Sequence, residues 1–332
     1  MKRLALLHTG GTIVMRRAAD GSLEPAATTD ALVGELPVLA RLAELEVSVV
    51  ANLDSGDMQP GDWIVIARAV HAALSRDDVD GVVVLHGTDT MAYTASAVAL
   101  VLGPVPKPVV FTGAQRPLFE ARTDARSNLV DACWLAAGDV CEVGIAFASR
   151  MFRAVRTTKR DAWALDAFDS PRHPPLVDLG VGVAKSPLAR PGGALAPLDP
   201  RVDPRVLAVR VFPGLEPVAL VRALASGTRG LVLEAYGSGN LPHLSGSLIP
   251  VLHDARDRGI PVLVVTQCHA GAVELSRYRG GAEAARAGAI SGRDMTIECA
   301  IAKTMVALGR YDRLDAVRGY LGTDQVGEMS MG

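Results

Sequence analysis

Only four cysteines occur in 332 residues, at Cys133, Cys141, Cys268 and Cys299, and no two of them form a CxxC pair. Thiols scattered in this way argue against a disulfide framework and against a cysteine-rich zinc site. The seven histidines show no HExxH spacing, so no metal is expected. No stretch approaches the ~18 consecutive apolar residues that mark a membrane span. The apolar run in "MKRLALLHTGG" is too short for a secretory leader and ends in no small-residue cleavage site. Long runs of Lys or Arg are also missing and the formal charge is −2, so the electrostatic footprint of a nucleic-acid or membrane-surface binder is absent. Neither GxxxxGK[ST] nor GxGxxG occurs, and "GVGVAK" lacks a third glycine, which argues against a nucleotide phosphate loop. These absences leave a globular, cytoplasmic protein suited to small polar ligands, with no nucleic-acid or membrane partner.

The chain is 49% hydrophobic and 21% charged, enough to bury a sizeable core. Short apolar runs alternate with segments of helical spacing: "RLALLH" then 30–43, "EVSVVAN" then 60–74, "DGVVVLHG" then 90–102, "KPVVFTG" then 123–137. That rhythm predicts βαβ units. Runs such as Val82 to Leu85 carry no polar alternation, as in strands covered on both faces of a parallel sheet. Residues 170–204 are dense in Pro and Gly and read as a linker or a loosely structured crossing. A second α/β rhythm follows, with "RVLAVRVFP", "GLVLEAYG" and "PVLVVTQ" as strands and a last helix near 294–308. The expected fold is therefore α/β, two domains with mainly parallel sheets and the larger one first: 1–185, a Pro/Gly-rich linker over 186–205, and 206–332.

In open parallel sheets ligands collect beyond the carboxyl ends of strands, so polar residues just after an apolar run carry most weight. Three such places stand in the first domain: "HTGGT" (8–12), "NLDSGDM" (52–58) and "HGTDT" (86–90). Gly10 and Gly11 can adopt positive φ and bring backbone N–H groups to a ligand, leaving Thr12 free to project its hydroxyl. A tight turn capped by Thr12 would use the same residues. Asp89 or Thr90 can equally be a helix N-cap, Ser55 and Asp57 can be turn residues, and Lys159 in "RTTKRD" reads by itself as a solvated surface lysine.

Taken together the blocks are more specific. "TGGTI", "VVLHGTDTMAYTA", "PVVFTGAQRPL", "DARSNLVDA", "RTTKRDAWALDAFDSP", "GLVLEAYGSGN" and "VTQC" resemble the bacterial-type L-asparaginase family over nearly the whole chain, in its cytoplasmic, type I branch. The resemblance implies an amidohydrolase that converts L-asparagine to L-aspartate and ammonia without a cofactor. Thr12 would be the nucleophile, and Thr88, Asp89 and Lys159 the second catalytic group. Ser55 and Asp89 would hold the substrate's α-carboxylate and α-amino group, while Gly56 and Ala114 line the site. A threonine hydroxyl needs a base and an oxyanion donor to attack an amide, and a zwitterionic amino acid needs an anion for its ammonium; these residues supply such groups. The family also implies a homodimer or homotetramer in which Asn240 completes a neighbouring copy's site, and a possible allosteric site at Thr266 and Cys268. A buried strand-end cysteine is the plainer reading of Cys268. One departure stands out: "RRAADGSLEPAATTD" has no tyrosine where family members usually carry one, and Ser22 takes its place. A broader glutaminase-asparaginase and an asparagine-binding sensor with little turnover are the alternatives.

Overall fold

A computed structural model describes residues 1–17, 23–25 and 36–330. Within them the chain divides into two compact units, 1–200 and 201–332. Strands of the first unit are β1 (Lys2–Gly10), β2 (Met15–Arg17), β3 (Leu23–Pro25), β4 (Ala43–Leu53), β5 (Gly81–Leu85), β6 (Val109–Thr112), β7 (Val143–Phe147), β8 (Arg150–Arg153), β9 (Thr158–Lys159), β10 (Phe168–Asp169), β11 (Val177–Leu179) and β12 (Val183–Lys185). Eight of these described strands form one sheet in the order β12-β11-β8-β7-β6-β5-β1-β4. From β4 to β7 it is parallel.

The buried strands explain themselves. In "GVVVL" of β5 every residue is buried, and β-branched side chains suit a pleat covered on both faces. Helix Met91–Leu102 is apolar around nearly its whole circumference because it packs on helix Pro60–Leu74 as well as on β6 and β7. Pro60 opens the earlier helix at a position whose N–H needs no partner, and the Asp62 carboxylate accepts the Gln59 N–H at 2.8 Å. Helix Ala125–Ala136 lies against β5, β6 and β7. In the predicted segment 30–43 the described part holds only the short helix Leu39–Leu42, and β4 already starts at Ala43.

Strand order decides where a ligand can sit. The chain runs from β1 to β4 on one side, then crosses to β5 on the other, so the direction of winding reverses at β1. A crevice opens at such a reversal, beyond the carboxyl ends of the two strands that flank it. Those ends carry "HTGGT" and "HGTDT".

Residues 170–204 are more ordered than their Pro/Gly content suggests. β11 pairs antiparallel with β8, and β12 with β11, extending the sheet edge. The strands are only three residues long, too short to show alternation. From 186 to 205 no regular element occurs. The backbone there is tied to the first unit: the Arg190 N–H reaches Glu142 at 2.7 Å, and the Gly193 N–H the Val105 carbonyl at 3.1 Å.

The second unit has a four-stranded parallel sheet, in sequence order β13 (Val206–Arg210), β14 (Gly230–Ala235), β15 (Val262–Thr266) and β16 (Ile290–Ser291). Helix Ile297–Arg310 packs on β14, and a further helix, Leu314–Gly322, follows where the sequence pattern predicts none. Lys303 and Glu328 form an ion pair at 2.6 Å with both side chains wholly buried. The lysine also donates to the Leu321 and Thr323 carbonyls, and the carboxylate accepts the Gln325 and Val326 N–H groups. Removing one partner strands a buried charge, so Lys303→Met should lower unfolding free energy by about 3–5 kcal/mol. Urea unfolding followed by far-ultraviolet circular dichroism measures it; a loss under ~1 kcal/mol would mean that the pair is relieved by water.

Candidate active site

β1 ends at a break in register: His8 pairs with Val49, but Gly10 pairs with Leu53. The chain turns there through Gly10 and Gly11, at φ 113° and 91°. A Cβ at Gly11 would stand 2.4 Å from the Gly87 nitrogen and 2.5 Å from its Cα, so the two backbones abut. A Cβ at Gly87 would in turn meet the Ser55 hydroxyl oxygen at 2.5 Å. Three strand-end loops therefore interlock at positions where no side chain fits. Thr12 and Thr88 each follow one of the two abutting glycines. Thr12, half-buried, opens the 3₁₀ turn Thr12–Val14, and Ile13 behind it is fully buried. Ser22 lies outside the described residues.

The second hydroxyl has a defined set of partners. Lys159 Nζ donates to Thr88 Oγ1 at 2.9 Å and to Asp89 Oδ1 at 2.6 Å. Its side chain is only 18% exposed against 68% for Asp89, so it is docked rather than solvated. β9 presents it, paired with β10 so that Phe168 stands opposite Lys159. Phe168 is buried against Phe147, ring centroids 4.9 Å apart, and anchors the hairpin. Asp89 is not a helix cap: Thr90 holds the N-cap position of the helix that begins at Met91, without a side-chain cap bond. The Thr90 hydroxyl instead donates to the Ser55 carbonyl at 2.8 Å, tying the "DSGD" turn to "HGTDT". In that turn Asp54, not Ser55 or Asp57, is the capping residue, accepting the Gly56 N–H at 2.9 Å. Ser55 is buried. Gly56 is exposed, and a Cβ there would meet nothing closer than Asp54 Oδ1 at 3.6 Å.

Two groups are not evident from the sequence pattern. Gln115, next to the buried Ala114, accepts the Thr88 hydroxyl at Oε1, 3.1 Å, and its Nε2 donates to the Ala162 and Ala164 carbonyls at 3.2 Å each. Asp124, buried at the start of helix Ala125–Ala136, accepts the Gln115 and Arg116 N–H groups at 3.0 Å each and the Asn128 amide at 3.1 Å. Asn128 also donates to the Gly113 carbonyl and accepts the Ala148 N–H. The signal is present in "DARSN", two polar residues one helical turn apart on a helix buried against the sheet.

His86 is fully buried and donates from Nδ1 to the Gly87 carbonyl at 2.7 Å, while no partner for Nε2 is found among the described residues. Burial pushes its pKa down to about 4 from the ordinary 6.5. His8, on the neighbouring strand, is lowered for the same reason.

In the second unit Thr266, at the end of β15, donates to the Gly237 carbonyl at 2.6 Å and accepts the Cys268 N–H at 3.0 Å. It joins the "TQC" and "YGSGN" segments, the latter closed by a bridge between Tyr236 and Asn240. Cys268 is exposed, which corrects the reading of a buried strand-end thiol. Asn240 Oδ1 is buried with no partner among the described residues. Among those residues no three His, Cys, Asp or Glu side chains are grouped to hold a metal, and no helix is long and apolar enough to cross a membrane.

Residues 3–187 match the family "Asparaginase, N-terminal", and residues 205–321 match "Glutaminase/Asparaginase C-terminal domain". L-asparaginase 1 of Escherichia coli (strain K12) is 35% identical over 335 residues, covering 99% of this chain and 98% of that protein. A glutamyl-tRNA(Gln) amidotransferase component from Methanothermobacter thermautotrophicus is 33% identical over 98% of this chain and 77% of its own length. The solved thermostable L-asparaginase from Thermococcus kodakarensis superposes with a TM-score of 0.91 at 35% identity, covering 99% of this chain and all of the other.

Two outcomes are expected for these loops. A methyl group at Gly11 must displace the Gly87 backbone and adopt a strained φ, so Gly11→Ala should cost about 2–5 kcal/mol in urea unfolding. An unchanged midpoint would show that the loops part without cost. The unfolded chain binds a proton at His86 near pH 6.5 and the folded chain only near 4, so stability falls as pH drops through that window. His86 alone contributes up to about 3 kcal/mol. Unfolding free energies measured from about pH 7 to 5 should lose much of their slope in His86→Gln; an identical slope would assign the acid sensitivity elsewhere.

Proposed function

The chain belongs to the asparaginase family, and on that premise we propose that it is an amidohydrolase converting L-asparagine to L-aspartate and ammonia, with Thr12 as nucleophile. The observation that carries this reading is the Lys159–Thr88–Asp89 set, hydrogen-bonded at the winding reversal beside the glycine turn that presents Thr12. Binding alone would need an anion and a few donors. A lysine held at 2.9 Å from a second threonine hydroxyl adds a positive charge beside that hydroxyl, which binding alone does not call for.

The chemistry divides into two steps. Thr12 Oγ attacks the side-chain amide carbon, the negative charge on the carbonyl oxygen is met by backbone N–H groups of the glycine turns, and the C–N bond breaks. The Thr12 proton leaves on the amide nitrogen as ammonia, giving a β-aspartyl ester. Water then attacks the ester, one of its protons returns to Thr12, and aspartate departs. Lys159 keeps positive potential on Thr88, whose hydroxyl orders the incoming water in this reading. Asp89, exposed and paired with Lys159, retains acceptor capacity for a substrate ammonium, and Ser55, pressed against Gly87, is assigned the α-carboxylate.

A broader glutaminase-asparaginase is the second reading. The open space at Gly56 favours it, because a missing side chain there leaves room for one more methylene, and such a pocket discriminates only modestly. The "TQC" segment as a regulatory site, Asn240 as a contribution to a neighbouring copy, a homodimer or homotetramer and a cytoplasmic setting follow from the resemblance to the type I branch.

The test is ammonia release from L-asparagine and L-glutamine by the purified protein. Thr12→Ala should abolish turnover while asparagine still raises the melting temperature, and Lys159→Met should lower kcat by about 10²–10⁴-fold. Full activity in Lys159→Met would remove the lysine from the mechanism. Stabilisation by asparagine with no ammonia from the unaltered protein would make it a sensor.

A further inference from the structure

Thr88 has one proton to donate, and its destination settles what the hydroxyl can do. Lys159 Nζ carries only donors, so Thr88 Oγ1 accepts from it. The Thr88 proton goes to Gln115 Oε1 at 3.1 Å. The orientation of the Gln115 amide is fixed from its far side, where Nε2 faces the carbonyls of Ala162 and Ala164 at 3.2 Å each. Turned over, the amide would set its oxygen against two carbonyl oxygens. The backbone of Gln115 is held in turn by the Asp124 carboxylate.

The two carbonyls belong to the loop that closes the Lys159 hairpin. In that loop Asp161 Oδ1 accepts the Trp163 and Ala164 N–H groups at 2.7 and 2.9 Å. Donors of the turn are thus satisfied by Asp161 and two of its acceptors by Gln115. One side chain grips the loop that carries the lysine and, with its other end, the threonine that the lysine serves. Gln115 also lines a cleft of about 390 Å³ with Arg116, Glu120, Arg122 and Trp163, so it stands between Thr88 and that opening.

We infer that Gln115 is a positioning residue for the amide hydrolysis proposed above: it takes the Thr88 proton and docks the Lys159 loop, so that Thr88 Oγ keeps a lone pair facing the reacting atoms. The inference rests on the amidohydrolase reading. Without an acceptor at 115 the hydroxyl rotates and its proton competes for the same space, which slows the chemical step while leaving substrate contacts in place.

The experiment compares kcat and KM for ammonia release from L-asparagine by the unaltered protein, Gln115→Met and Gln115→Glu across about pH 5–9. Gln115→Met should lose about 10–100-fold in kcat with little change in KM or melting temperature. Gln115→Glu, nearly the same shape, keeps an acceptor for Thr88 and, while protonated, a donor for the loop. Its kcat should approach that of the unaltered protein in acid and fall as the carboxyl ionises and draws Lys159 from Thr88, a limb absent from the other two profiles. Unchanged kcat in Gln115→Met, or a Gln115→Glu profile of ordinary shape, overturns the inference alone. No ammonia from the unaltered protein overturns the amidohydrolase reading and this inference with it.

Discussion

The close approach of Gly11 to Gly87 is the constraint on which the site depends. Two parallel strands bring their carboxyl ends side by side, but side chains normally hold the following loops apart. Here the first loop has no Cβ at Gly10 or Gly11 and the second has none at Gly87, where Ser55 of a third loop takes the space. The loops therefore interlock through backbone, and Thr12 and Thr88 stand next in sequence to that contact. Winding that reverses at β1 opens a crevice at this point.

Around it the polar groups are oriented from behind. Asp124, buried, collects the amides of Gln115, Arg116 and Asn128. Asn128 in turn ties Gly113 to Ala148, which has φ 48° in the two-residue turn between β7 and β8. Such turns require positive φ, and a non-glycine residue holds it here with a bond to its N–H. Thus the β7–β8 hairpin, the helix Ala125–Ala136 and the loop that carries Gln115 form one network. Dipoles held in this way would need little rearrangement in the amide hydrolysis proposed above.

Much of this is legible in one dimension. Helical spacing over 60–74 matches the bounds observed, and the buried strands announce themselves through unbroken β-branched runs. Thr12, Ser55, Thr88 and Asp89 stand out because polar residues after such runs fall at sheet ends. Asp89 as a cap and Lys159 as a solvated cation are wrong for one reason: each residue's partner is the other, and they lie 70 positions apart. Propensity knows only neighbours. β11 and β12, like helix Leu314–Gly322, leave no clear mark because three-residue strands and a nine-residue helix carry too little periodicity.

The sequence by itself determined the class of fold, the places where strands hand over to loops, and the residue types available there, since these follow from local pattern and from the sterics of glycine. Only the tertiary structure decided which hydroxyl the lysine reaches, where that hydroxyl sends its proton, and that Gln115 and Asp124 share a hydrogen-bond network with Thr88. Those choices depend on contacts between loops remote in sequence, whose distances are set by sheet order and by the absence of a few Cβ atoms.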